Sequence, residues 1–158
     1  KNIHQVPKIE KVIIHRGLSE ALTNSAVLEK TYELFYAITG QKPVFTKAKK
    51  SISNFKLREG QVVGCKVTLR SKKMRNFLNN LFYLSLPKIR DFRGISRKGC
   101  DKFGNFSFGI KDDSIFPESN TELDKLRGMD ITICTSSQTK EELLFMLENL
   151  GLPFKEGN

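Results

Sequence analysis

The sequence predicts an α+β sandwich, in which an antiparallel-rich sheet is covered on one face by a helix layer. Three observations predict it. Strand-like and helix-like stretches follow one another along all 158 residues, with no internal repeat and no clean linker. Each helical stretch carries a single apolar stripe, which suits covering a sheet from one side only. One strand, Gln61–Arg70, alternates strictly, with Val63, Cys65, Val67 and Leu69 on one face and Lys66, Thr68 and Arg70 on the other. One domain over 1–158 is expected.

Lys8–His15 is rich in β-branched Ile9, Val12, Ile13 and Ile14 and runs out before Gly17, so it reads as the first strand. Ser25–Thr39 spaces Val27, Leu28, Leu34, Phe35 and Ile38 as a helix does, and Gly40 stands where such a helix ends. Pro43–Thr46 is a short apolar run. Lys47–Gly60 shows no periodicity and reads as a long exposed basic loop, mobile until its cations find phosphates. Ser71–Leu84 sets Met74, Phe77, Leu78, Leu81 and Phe82 on one side of a helix that Pro87 ends. Pro87–Gly99 is a second basic loop. Asn105–Ile110 and Asp130–Cys134 read as strands. Thr139 with Glu142 is a capping box opening the last helix, with Leu143, Leu144, Met146, Leu147 and Leu150 inside it and Gly151 closing it.

Charge is distributed unevenly. Residues 1–100 hold 21 Lys and Arg against 6 Asp and Glu, whereas residues 101–158 hold 6 against 11. Lys42–Arg75 alone carries eleven cations, with Glu59 as its one acid. Neutralising phosphates releases condensed counterions, so this concentration points to a polyanion. A solvated basic face kept for solubility is the alternative. Clustering favours nucleic acid.

Several classes fall away. No apolar stretch approaches the ~20 residues that cross a bilayer, so no membrane partner is expected. Cys65, Cys100 and Cys134 are odd in number and widely spaced, which suits a reducing compartment. With only His4 and His15 beside them, they form no metal site. Gly94–Gly99 has the spacing of a phosphate loop, but Cys100 stands where Lys is needed. Asp112 and Asp113 read as exposed turn carboxylates, and Cys65 and Cys134 as small core residues. No active site, cofactor or small-molecule substrate is expected.

The binding features are positive. Thr46–Gly60 mixes cations, hydroxyls, an amide and Phe55, the side chains that meet phosphates, riboses and base faces. Phe55 tucked into the core is the competing reading. In Pro87–Gly99 arginine dominates, which suits bidentate phosphate contact.

The wording of the chain is more specific than its composition. Val6–Lys11, Ile38–Pro43, Thr46–Gly60, Lys66–Arg70, Leu86–Gly94, Ile115–Glu118, Arg127–Ile131 and Leu152–Phe154 occur in this order and span essentially the whole chain. Together they closely resemble the bacterial-type large-subunit ribosomal protein number five, the 5S-rRNA-binding protein of the central protuberance. That resemblance implies a curved antiparallel sheet backed by helices and no catalysis. It implies 5S rRNA, large-subunit rRNA, P-site tRNA and a small-subunit head protein as partners. By position it implies 5S rRNA contact by Gln41, Lys66, Thr68 and Arg70, with His15 at a further contact position, and the basic runs add Lys42, Lys88, Arg90 and Arg93 as rRNA-binding candidates. It places Lys47, Lys49, Lys50, Ser51, Asn54, Phe55, Lys56 and Arg58 in the loop near tRNA. His15 departs from the Asn that the family usually has there, and Ser19 replaces a Gly. Lysine supplies nineteen of the 27 cations, and Asn, Phe and Ile are frequent. That bias suggests a plastid ribosome, with the bacterial cytoplasm as alternative. A free RNA-binding regulator is the other functional reading.

Overall fold

A computed structural model describes residues 2–18, 26–119 and 127–155. Ser19 and Ser25 lie outside the described residues. Among the described residues, five strands form one antiparallel sheet: β1 (Ile9–Gly17), β2 (Val44–Lys47), β3 (Val62–Leu69), β4 (Asn105–Ile110) and β5 (Met129–Thr135), in the order β2-β3-β1-β5-β4. Three α-helices accompany it among the described residues: α1 (Ala26–Thr39), α2 (Ser71–Asn79) and α3 (Lys140–Asn149). The fold is α+β, and the sheet is open.

Side-chain parity decides which face the helices cover. Val12 and Ile14 of β1, Cys65, Val67 and Leu69 of β3, Phe106 and Ile110 of β4, and Ile131 and Ile133 of β5 share one core. Phe35 of α1, Met74, Phe77 and Leu78 of α2, and Leu143 and Leu147 of α3 belong to the same core. The strand residues all come from one parity, so all three helices lie on one side. Each buried leucine, isoleucine or phenylalanine there is worth roughly 1.5–3 kcal/mol of transfer free energy.

The ends of the helices follow their chemistry. The Thr139 hydroxyl accepts the Glu142 N–H at 3.3 Å, so Thr139 caps α3. After α2 the chain widens into a π turn over Asn80–Ser85 that buries Leu81 and Phe82, and a 3-10 turn with Pro87 follows. Among the described residues no helix is long and apolar enough to cross a membrane.

One expectation needs correcting. Asp113 is not an exposed turn carboxylate: it is 2% exposed and pairs with buried Arg16 at 3.0 Å. Cys65 and Cys134 are both buried, as expected, but Cys134 pairs with Lys11 and Asn105 and so lies on the opposite parity from the central cluster that holds Cys65. Apolar neighbours alone could not separate those two cases.

Candidate nucleic-acid interface

The parity that fills the core on one side leaves a polar face on the other. Register places Lys66, His15, Asp130 and Gly109 in one row across β3, β1, β5 and β4. Thr68, Ile13, Thr132 and Ser107 make the next row. Lys66 and Ser107 are exposed, and His15, Ile13, Thr68 and Thr132 are half-buried, with no helix above them among the described residues. The Ser107 and Thr132 hydroxyls lie 2.9 Å apart. Such a surface offers cations for phosphates and hydroxyls for riboses or base edges.

Close packing keeps the strands under this face together. A Cβ on Gly64 would sit 2.6 Å from the Arg16 carbonyl oxygen and 2.9 Å from Thr46 Oγ1. Only glycine fits there. Gln41 reaches from the end of α1 and donates Nε2 to the Thr68 carbonyl at 3.0 Å, tying the helix layer to β3. Lys42 beside it is exposed, as is Arg70 just past β3.

Thr46–Gly60 is not the structureless loop that its composition suggests. β2 and β3 continue into a hairpin, where Ala48 N–H donates to the Gln61 carbonyl at 2.8 Å and Gly60 N–H to the Ala48 carbonyl at 3.0 Å. Ile52 and Leu57 then exchange two hydrogen bonds around a 3-10 turn, Ser53–Phe55. Ser51 Oγ accepts the Glu59 N–H at 2.9 Å, which braces the tip from within. Backbone bonding compensates for the missing apolar pattern. Lys47, Lys49, Lys50, Ser51, Asn54, Phe55, Lys56 and Arg58 are all exposed, and Phe55 is 72% exposed. The core reading of Phe55 fails.

The Pro87–Gly99 loop is pinned to the body. Ile95 N–H donates to the Pro153 carbonyl at 2.9 Å, and Lys155 N–H to the Ile95 carbonyl at 3.0 Å. Lys88, Arg90 and Arg93 are exposed on it.

Behind the polar face lies a buried charge. Arg16 is 2% exposed, donates to the Gly128 and Arg127 carbonyls at 3.0 and 3.1 Å, and stands 5.4 Å above the Phe35 ring. Burial lowers its guanidinium from the ordinary value, and Asp113 opposes that shift. Across the register from Arg16, burial pushes the Cys65 thiol up to about 11.

Comparison with known proteins places the sequence in a family. Residues 2–58 match the family model described as ribosomal protein L5, and residues 62–154 match the model of the same ribosomal family's C-terminus. The chain belongs to the ribosomal protein L5 family. Among its relatives, the large ribosomal subunit protein uL5 of Geobacter sulfurreducens is 52% identical over 155 residues, covering 98% of this chain and 87% of that protein. Protein uL5c of Gracilaria tenuistipitata var. liui is 54% identical over 155 residues, with the same shares covered. Protein uL5 of Synechocystis is 53% identical over 156 residues, again covering 98% and 87%. This L5-family chain is therefore a structural, non-enzymatic constituent of the large ribosomal subunit. Bacterial and plastid forms are equally close to it.

Within the L5-family fold, the residues singled out from sequence form three groups. Lys66, Thr68, His15 and, at the rim, Arg70, Gln41 and Lys42 gather on or beside the polar face. The eight residues from Lys47 to Arg58 share the hairpin, and Lys88, Arg90 and Arg93 share the pinned loop. Sequence reasoning missed Thr132, Ser107, Ile13 and Lys11, which complete the face. Their alternation in β1, β4 and β5 carried the signal, but strand pairing was needed to bring them beside Thr68.

Proposed function

We propose that the helix-free face of the sheet binds 5S rRNA, with Lys66 and Arg70 on phosphates and Thr68 on a ribose or base edge. His15, Gln41 and Lys42 border that contact, while Lys88, Arg90 and Arg93 meet large-subunit rRNA. The hairpin from Lys47 to Arg58 approaches P-site tRNA, and a further surface bridges to a protein of the small-subunit head. The observation that carries the reading is an uncovered polar sheet face in which Lys66 and Thr68 alternate with buried Val67 and Leu69. For the compartment, the Lys-rich composition supports the plastid stroma over the bacterial cytoplasm.

The test is 5S rRNA binding by the full chain. A Lys66→Ala/Arg70→Ala variant is expected to lose on the order of tenfold or more, the worth of one charge-assisted hydrogen bond. A Lys30→Ala/Lys140→Ala control on the helices should keep its affinity. Equal losses would show that charge, not the sheet face, decides binding. Sequencing of the rRNA that co-purifies with the native chain assigns the compartment.

A further inference from the structure

A concave site lies beside β4, one of the two edge strands of the sheet. It is an open cleft of about 950 Å³ between β4 and the Pro87–Gly99 loop. Lys88, Arg90, Arg93, Lys98, Lys111 and Lys155 line it, against Asp91 and Asp112. Its floor is apolar, including half-buried Phe92 and Phe108 together with Ile110. The walls are preformed. Ile95 and Phe154 pair as neighbouring strand residues, and a Cβ on Gly94 would meet the Lys155 nitrogen at 2.5 Å, so loop and C-terminal segment are in close contact.

We propose that this cleft seats one unstacked RNA base, with its flanking phosphates on the cationic rim. The proposal rests on the reading that the chain binds rRNA, and it adds a specific mode at a site apart from the polar face. An apolar, aromatic floor under a positive mouth suits a flat ring carried on a charged backbone. An extended peptide suits it poorly. Cys100 already bridges Phe106 on the outer edge of β4, leaving too short a stretch for an added strand. A preformed wall also lowers the ordering cost of binding.

The test uses the full chain carrying Phe55→Ala, which removes the exposed aromatic of the hairpin. The probe is a fluorescein-labelled single-stranded RNA decamer containing 4-thiouridine. Irradiation is expected to cross-link it within the Pro87–Gly99 loop. Phe92→Leu, which keeps an apolar side chain, should weaken decamer binding on the order of tenfold, as loss of one base–aromatic stack does. Should that variant misfold, Arg93→Ala is the substitute, with a loss of about threefold expected from one phosphate contact. Unchanged affinity in a folded variant, or cross-links only elsewhere, would overturn the proposal. So would AMP binding as tightly as the decamer, which would mean a free-nucleotide pocket, or displacement by a glutamate decapeptide, which would mean a peptide groove. 5S rRNA binding by Thr68→Ala is measured separately. If Thr68→Ala leaves 5S rRNA binding unchanged while Phe92→Leu weakens decamer binding, the sheet-face reading fails and the cleft stands.

Discussion

Burying Arg16 commits β1 to the segment that holds Asp113. A guanidinium with almost no water around it needs its counter-ion and its carbonyl acceptors at once. Asp113→Asn should therefore destabilise the fold by roughly 3–5 kcal/mol, read as a fall in the urea midpoint. Replacing both partners, Arg16→Met with Asp113→Leu, should cost far less. A harmless Asp113→Asn would mean that the pair does not hold β1 to that segment. Arg16 could be suspected from sequence, since it shares parity with Val12 and Ile14, where a charge is out of place. Asp113 could not, because its neighbour Asp112 looks the same in sequence and is exposed. Only contact with β1 separates the two acids. Cys65 gives a pH prediction at the same scale. Its thiol rises from an ordinary 9.0 to about 11 by burial, so the folded state retains the proton that the unfolded chain loses. The stability from the neutral buried thiol is fully present below about pH 9 and lost as pH rises toward 11. Denaturation midpoints of the chain and of Cys65→Ala across that window should converge as pH rises; parallel curves would refute the assignment.

The element that supplies Lys66 and Thr68 to the proposed binding face is β3, and it was the most legible part of the chain. A period of two over Val63–Arg70 fixes the face of each side chain before any partner strand is known. Its weak point was less visible. Gly64 looks like an ordinary strand glycine, but the Arg16 carbonyl oxygen lies 2.6 Å from where its Cβ would be. Gly64→Ala should cost about 1–3 kcal/mol through overpacking, measured by thermal melting, and an unchanged melt would mean that β1 and β3 can part without cost. The hairpin was legible as a basic segment but not as a structure. Its order comes from backbone bonds between Ala48 and Gln61 and between Ile52 and Leu57, and no side-chain period records those. Replacing Lys50–Arg58 by a two-residue turn should leave folding and 5S rRNA binding intact while weakening retention of P-site tRNA. Loss of 5S rRNA binding with tRNA retention unchanged would reverse the roles given to sheet and hairpin.

At the scale of the whole molecule, charge follows the two layers except at α2, which exposes Lys72, Lys73 and Arg75 and carries no acid. α1 and α3 expose Glu29, Glu33, Glu141, Glu142 and Glu148, while Lys11, Lys66 and Arg70 belong to the uncovered sheet face, with the cationic hairpin extending from it. A polyanion approaching this field is steered away from α1 and α3, toward the sheet face, the hairpin and α2. If roughly 6–10 phosphates are neutralised, affinity for 5S rRNA should fall about 10³–10⁵-fold between 50 and 200 mM salt, taking the duplex slope as guide. A flat response would reduce the basic face to a solubilising surface. The central claim is that RNA lies on the helix-free face, and methyl NMR of the chain titrated with 5S rRNA tests it most directly. The methyls of Ile13, Thr68 and Thr132 stand on that face, whereas those of Leu28, Ile38 and Leu144 belong to the helices. The first three are predicted to shift on complex formation and the second three to stay. Shifts confined to the helix methyls, with Ile13, Thr68 and Thr132 unmoved, would contradict it.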